Sequence, residues 1–237
     1  AGLIADGDQS LLIDTLYDLD LTGEMLRKMR HAEPAAKTID TLINTHANGD
    51  HCHGNELVAG AEIIASAASA LEMNELTPEA MAAIMASSAE LGPLGEYFRH
   101  CFGQFRFDGI RFTPPTRTFE GTLDLTVGDK QVHLIEVGPA HTRGDVLVHC
   151  PADRVVFTGD ILFINSTPVM WQGPVANWIN ACLLIEDMAA DLIVPGHGPI
   201  TDKHGVVQVR HYLQFVRDQA RARYDAGMDA FEAAKDI

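Results

Sequence analysis

Thr45-His46-Ala47-Asn48-Gly49-Asp50-His51-Cys52-His53-Gly54-Asn55 is the run whose reading decides the rest of the chain. It gathers imidazoles and a carboxylate in one short polar stretch, directly behind an apolar segment, Ile39, Leu42 and Ile43, that reads as a buried strand ending at Thr45. Loops that follow core strands are where binding groups concentrate. Imidazole nitrogen and carboxylate oxygen are the donors that a borderline cation such as zinc selects. The glycines beside them allow the tight backbone that a converging loop needs.

The chain on either side repeats this arrangement. Upstream, Leu3-Ile4-Ala5 and Leu11-Leu12-Ile13-Asp14 read as two short strands joined at Gly7-Asp8, and Leu21, Met25, Leu26 and Met29 follow at helical spacing. Downstream, Ile63-Ile64 opens another strand, and then the texture changes over residues 66–112. There Thr77-Pro78-Glu79 starts a helix, Gly92-Pro93 breaks it, and Tyr97, Phe98, Phe102, Phe105 and Phe107 follow. This stretch reads as a helical insertion, with 94–107 as a lid. Strand signals return with Phe119, Leu123, Leu125 and Val127 in one alternation. Val132 to Val137, Val146-Leu147-Val148, Val155-Val156-Phe157 and Leu192-Ile193-Val194 continue them, with helices expected over 174–188 and 203–224. Two runs of strands with helices between and outside imply a sheet-on-sheet core covered by helices.

Three more candidate donors close apolar strands in the same way: His141 in Gly138-Pro139-Ala140-His141, Asp160 in Phe157-Thr158-Gly159-Asp160, and His197 in Val194-Pro195-Gly196-His197. A lone histidine among 11 carries no such meaning, and His31, His100, His133, His149, His204 and His211 are read as surface or core residues. The case for His46, Asp50, His51, His141, Asp160 and His197 is their joint placement at strand ends, since chance would scatter them through helices as well.

The order of these motifs resembles the metallo-β-lactamase superfamily, whose leading signature is His-x-His-x-Asp-His, followed by a downstream His, a bridging Asp and a final Gly-His. Intervals of 90 residues from His51 to His141, 19 to Asp160 and 37 to His197 fit that order, the first being long enough to hold the insertion. The resemblance implies a four-layer αββα sandwich of two mixed sheets flanked by helices, in a single domain over residues 1–237, and a chain that starts after part of the first sheet. It implies zinc, one or two ions per chain, with iron or manganese also accommodated. His46 and His141 would form a first site, Asp50, His51 and His197 a second, with Asp160 available to both. This chain departs at Asn48, which stands where the signature has its second His. An amide oxygen is a poorer zinc donor than imidazole, so the second site is expected to be the stronger. His53 either supplies the missing donor or begins the next helix and faces solvent or substrate.

The implied activity is hydrolysis of a small ester, thioester, lactone or amide-type substrate through a metal-activated water, with Asp50 orienting it. Thr142, Asn55 and Thr158 are expected to support the ligands or to be plain turn residues, and Trp171 and Trp178 to line the pocket or enter the core. The alternatives on this fold are a di-iron protein handling oxygen or electrons, a β-lactam-cleaving member, and a metal binder without catalysis. Composition narrows the partners. Lys and Arg total 17 against 33 Asp and Glu, a net charge of −16, which argues against nucleic acid and anionic membrane surfaces and leaves a small-molecule substrate. No apolar run approaches the roughly 20 residues of a membrane span. Cys52, Cys101, Cys150 and Cys182 are read as isolated thiols, which favours the cytoplasm, although a removed signal peptide would leave the same sequence.

Overall fold

In a computed structural model covering residues 1–237, Leu11, Leu12 and Ile13 are all buried, and their alternation shows how the layers arise. They lie on β2 (Gln9–Ile13), which pairs antiparallel with β1 (Gly2–Asp6) and parallel with β3 (Thr41–Ile43). Successive strand side chains face opposite ways. Leu11 and Ile13 therefore enter one hydrophobic cluster, and Leu12 enters another. The same split recurs on β3, where Ile43 faces inward and Leu42 outward, and on β4 (Glu62–Ser66), with Ile64 inward and Ile63 outward. The outward set is covered by α1 (Leu19–Ala32) through Leu26, with Met25 and Met29 beside it. The first sheet is completed by β5 (Arg117–Phe119) in the order β1-β2-β3-β4-β5.

The second sheet runs β10-β9-β8-β7-β6. Its strands are β6 (Thr122–Val127), β7 (Lys130–Glu136), β8 (Val146–Cys150), β9 (Val155–Phe157) and β10 (Leu192–Val194). Val132, Leu134, Val146, Val148, Val155 and Phe157 meet the inward face of the first sheet in one cluster. Leu147, Val156 and Ile193 point the other way, under α6 (Val175–Asp187) and α7 (Lys203–Asp225). A short α8 (Ala230–Asp236) ends the chain. Both sheets are mixed, because β1 is antiparallel in the first and β9 and β10 are parallel in the second. The four-layer αββα order expected from the resemblance is the observed one.

Two local expectations change. The alternation Phe119, Leu123, Leu125, Val127 looks like one strand but is two, in different sheets. Gly121 at φ +71° makes the turn that carries the chain from β5 across to β6, a conformation that costs glycine little. The polar run after β3 is partly helical, with α2 (Gly49–Cys52) and a 3₁₀ turn over His53–Val58, and β3 stops at Ile43. Between β4 and β5 lie α3 (Ala67–Glu72), α4 (Pro78–Ser87) and α5 (Gly92–Phe102). A connection between parallel strands needs a long crossover, and these helices occupy it.

Candidate metal centre

The candidate donors follow from where the strands end. β2, β3, β9 and β10 run parallel within their sheets, and β7 shares the direction of β9 across antiparallel β8, so their following loops open at one edge. The two halves are tied there by Val146 N–H donating to the Thr45 carbonyl at 2.8 Å.

Each of the three buried candidate imidazoles, His46, His51 and His141, is fixed through Nδ1. The Thr45 hydroxyl donates to Asp14 Oδ2 at 2.8 Å and lies 3.0 Å from His46 Nδ1. A hydroxyl has one proton and the carboxylate can only accept it, so Nδ1 of His46 carries hydrogen and Nε2 presents its lone pair. His51 Nδ1 donates to Asp14 Oδ2 at 2.9 Å, and His141 Nδ1 donates to the Val169 carbonyl at 2.5 Å. Three Nε2 atoms are thus aimed into one space, the outer-shell arrangement that orients ligand imidazoles in metal sites.

Asp160, 2% exposed, lies at the middle of that space. Its Oδ1 is 3.1 Å from His51 Nε2. Its Oδ2 is 3.3 Å from His141 Nε2, 3.2 Å from His197 Nε2 and 3.7 Å from His46 Nε2. Asp50 Oδ2 lies 3.5 Å from His51 Nε2 and 3.2 Å from His197 Nε2. The ring of His197 stacks on Phe163 at 5.0 Å. Backbone must come very close to Asp160, and Gly196 permits it: a Cβ there would stand 1.9 Å from Asp160 Oδ1.

The charges of this cluster pull hard on one another. Burial would lower His51, but Asp160, Asp50 and Asp14 outweigh it and raise its pKa well above the ordinary value. Hydrogen bonds to Asp160 and Asp50 raise His197 to about 9. Burial, helped by the charge on His51, lowers His46 to about 3. Burial works against ionisation of Asp50 and Asp160, yet the surrounding histidines hold both carboxyls below the usual range.

A divalent cation fits this donor set. Of the four buried side-chain polar atoms without a hydrogen-bond partner, two, His46 Nε2 and Asp160 Oδ1, belong to this donor set, a costly state unless something binds them. Ligand atoms of His46, His51 and Asp160, and separately of Asp50, His51 and His197, lie within 4.8 Å of one another. A tetrahedral zinc ion with bonds of about 2.0–2.1 Å sets its ligands roughly 3.3 Å apart.

The remaining expected residues fall elsewhere. Asn48 reaches the cluster, with Nδ2 3.0 Å from His141 Nε2, as a hydrogen-bond partner of that imidazole. His53 does not join the cluster. It is buried, stacks on Tyr17 at 5.4 Å and meets Phe107 edge-on at 6.1 Å, so it faces neither solvent nor the donors. Cys52 is buried, and burial raises its thiol pKa. Thr142 bonds Asp145, Asn55 bonds Thr15 and Asn44, and Thr158 bonds backbone carbonyls, so none touches a candidate ligand's side chain. Trp178 is buried with its N–H on the Ile161 carbonyl and its ring edge-on to His141, whereas Trp171 is exposed. Arg143, the one cation near the motifs, is paired with Glu75. Sequence reasoning assigned no role to Asp14; its only signal was an acid abutting the buried triplet Leu11-Leu12-Ile13.

Comparison with known proteins places the fold in a family. The chain is 22% identical to a linear primary-alkylsulfatase from Pseudomonas sp. (strain ATCC 19151), over 96% of this chain and 47% of that one. It is 26% identical to the 2,4-dinitroanisole O-demethylase subunit alpha of Nocardioides sp. (strain JS1661), over 82% and 51%. It therefore spans about half the length of these two relatives. Among solved structures, a metallo-beta-lactamase from Pontibacter korlensis matches with a TM-score of 0.65 at 19% identity, covering 90% of this chain and 85% of the other. With the model of the family matching residues 1–197, across both sheets and every candidate donor, the chain belongs to the metallo-beta-lactamase superfamily.

Proposed function

We propose that the chain is a metal-dependent hydrolase of small ester, thioester, lactone or amide-type substrates, with zinc as the resident cation and His46, Asp50, His51, His141, Asp160 and His197 as its ligands. The observation that carries this reading is the convergence of four imidazoles on two carboxylates, with two buried atoms left unpartnered. When bound, such an ion lowers the pKa of a coordinated water toward about 7 and polarises the bond under attack. The relative named as an alkylsulfatase supports hydrolysis at an ester linkage.

Roles divide by exposure. Asp160 is sealed in and shares its two oxygens among four histidines, which suits it to holding charge. Asp50 keeps 31% of its side chain open, which suits it to orienting the attacking water and accepting its proton. The donors are uneven: Asp50, His51, Asp160 and His197 make a four-donor group, while His46 and His141 share Asp160 with an amide in third place. We infer a tight second site and a weaker first one.

The test is metal quantification on purified protein under limiting zinc, coupled to hydrolysis of carboxylic esters, thioesters, lactones, phosphodiesters and β-lactams. One tight ion, a second loose one, and turnover lost on Asp50→Ala are expected. Two equally tight ions would overturn the unequal sites, and no turnover of any substrate with zinc, manganese or iron would overturn the hydrolase.

A further inference from the structure

The loop after Asp160 contains three consecutive large apolar side chains that the core does not use. Val169, Met170 and Trp171 are 42%, 41% and 62% exposed. Exposed apolar runs of this kind mark binding surfaces more often than isolated residues do. This one is also held rigidly against the candidate centre. The Val169 carbonyl accepts from His141 Nδ1, Trp171 N–H and Gln172 N–H donate to the His141 carbonyl at 3.0 and 3.2 Å, and Gly173 N–H donates to Ala140 at 3.0 Å. The segment is thus a strap bonded to both the ring and the backbone of one candidate ligand. Met170 is folded over Gly173, where a Cβ would meet its sulfur at 3.3 Å.

Behind the strap is a cavity of about 230 Å³ between residues 163–168 and α7, where Phe163, Ile164, Pro168, Val209 and Tyr212 form an apolar wall beside the uncharged polar Asn165, Ser166 and Gln208. Phe163 is shared: its ring stacks on His197 and lies 5.6 Å from that of His141. Pro168 continues the cavity wall into the strap. No charged residue lines the cavity. The surface therefore suits an uncharged apolar group attached to the bond being cleaved.

We propose that the strap at Pro168–Trp171 and the cavity beside it bind the alkyl or acyl tail of the substrate, so that this hydrolase prefers medium-chain over short-chain esters. The proposal rests on the hydrolase reading for the reaction, but not for the binding. A tail that leaves water for the faces of Trp171 and Phe163 gains with each methylene buried, and the preference is expressed mainly in KM.

Two measurements separate this idea from the reaction it serves. N-octylacetamide, an uncharged amide with N-ethylacetamide as control, is titrated into the protein while tryptophan emission is followed. Trp178 is already buried, so a shift reports Trp171. A blue shift with the octyl compound alone, absent in Trp171→Phe, is expected; no shift overturns the pocket. In parallel, kcat/KM is compared for 4-nitrophenyl octanoate and acetate. Their ratio is expected to fall at least tenfold in Trp171→Ala through KM, with Trp171→Phe restoring most of it. Tyr212→Ser tests the cavity wall should the first variant fold poorly. Hydrolysis indifferent to chain length, without an emission shift, leaves the hydrolase standing and removes the pocket. An emission shift in a protein that turns over none of the ester, thioester, lactone, phosphodiester or β-lactam substrates keeps the pocket and removes the hydrolase.

Discussion

Asp14 shows how one residue sets the state of a whole cluster. Its carboxylate bonds His51 Nδ1, Thr45 N–H and the Thr45 hydroxyl, and through that hydroxyl it reaches His46. Its backbone sits at φ +60°, a conformation Asp tolerates better than most residues. Asp14→Ala is expected to weaken zinc binding by about 10- to 100-fold, the range for lost outer-shell partners, measured by competition with a chromophoric chelator. Unchanged affinity would remove Asp14 from the metal's support. A second expectation concerns protons. In the metal-free protein the carboxylates around them raise the pKa of His197 to about 9 and hold that of His51 well above its ordinary value, yet only neutral imidazole binds a cation. Zinc binding should therefore release protons at pH 7 and tighten as pH rises toward 9, read by calorimetry in buffers of different ionisation enthalpy. At this scale the donors were legible because they stand beside apolar strands. Their partners, Asp14 and the Val169 carbonyl, were not, since contacts spanning 37 and 28 residues leave no local pattern.

Elements were legible wherever one face is buried against a uniform partner. Leu11-Leu12-Ile13 and Val146-Leu147-Val148 show as apolar triplets because both faces of their strands are covered. Periodicity failed at Gly121, since an alternation says which way side chains point and nothing about which sheet receives them. It also missed α2, a four-residue helix too short to show a period. Leu12, wholly buried between β2 and α1, supplies the test at this scale. Leu12→Ala should destabilise the metal-free protein by about 2–5 kcal/mol, as a lower urea midpoint with an unchanged slope. A much smaller loss would mean that α1 does not pack on the sheet as described.

Across the whole molecule, the candidate centre joins both sheets: His46, Asp50 and His51 follow a strand of the first, and His141, Asp160 and His197 follow strands of the second. An ion bound only by the folded chain stabilises it by about 2.7 kcal/mol at a free concentration 100 times Kd. Zinc added to chelator-stripped protein should therefore raise Tm by several degrees, and Asp160→Ala should abolish most of that rise. A zinc-independent Tm would argue against a cation bound at this edge. The charge of −16 and the order of motifs indicated the general kind of site. The strap's placement was not legible, since it depends on backbone bonds between residues 169–173 and 140–141.

Because the donors come in equal numbers from the two halves of the sandwich, neither half alone retains a full set. A cation held from both sides leaves faster whenever the halves part or a loop lifts away, so its dissociation rate is a clock for the breathing of the fold. Radioactive zinc exchanged under native conditions would time openings too brief and too rare for any static picture to hold.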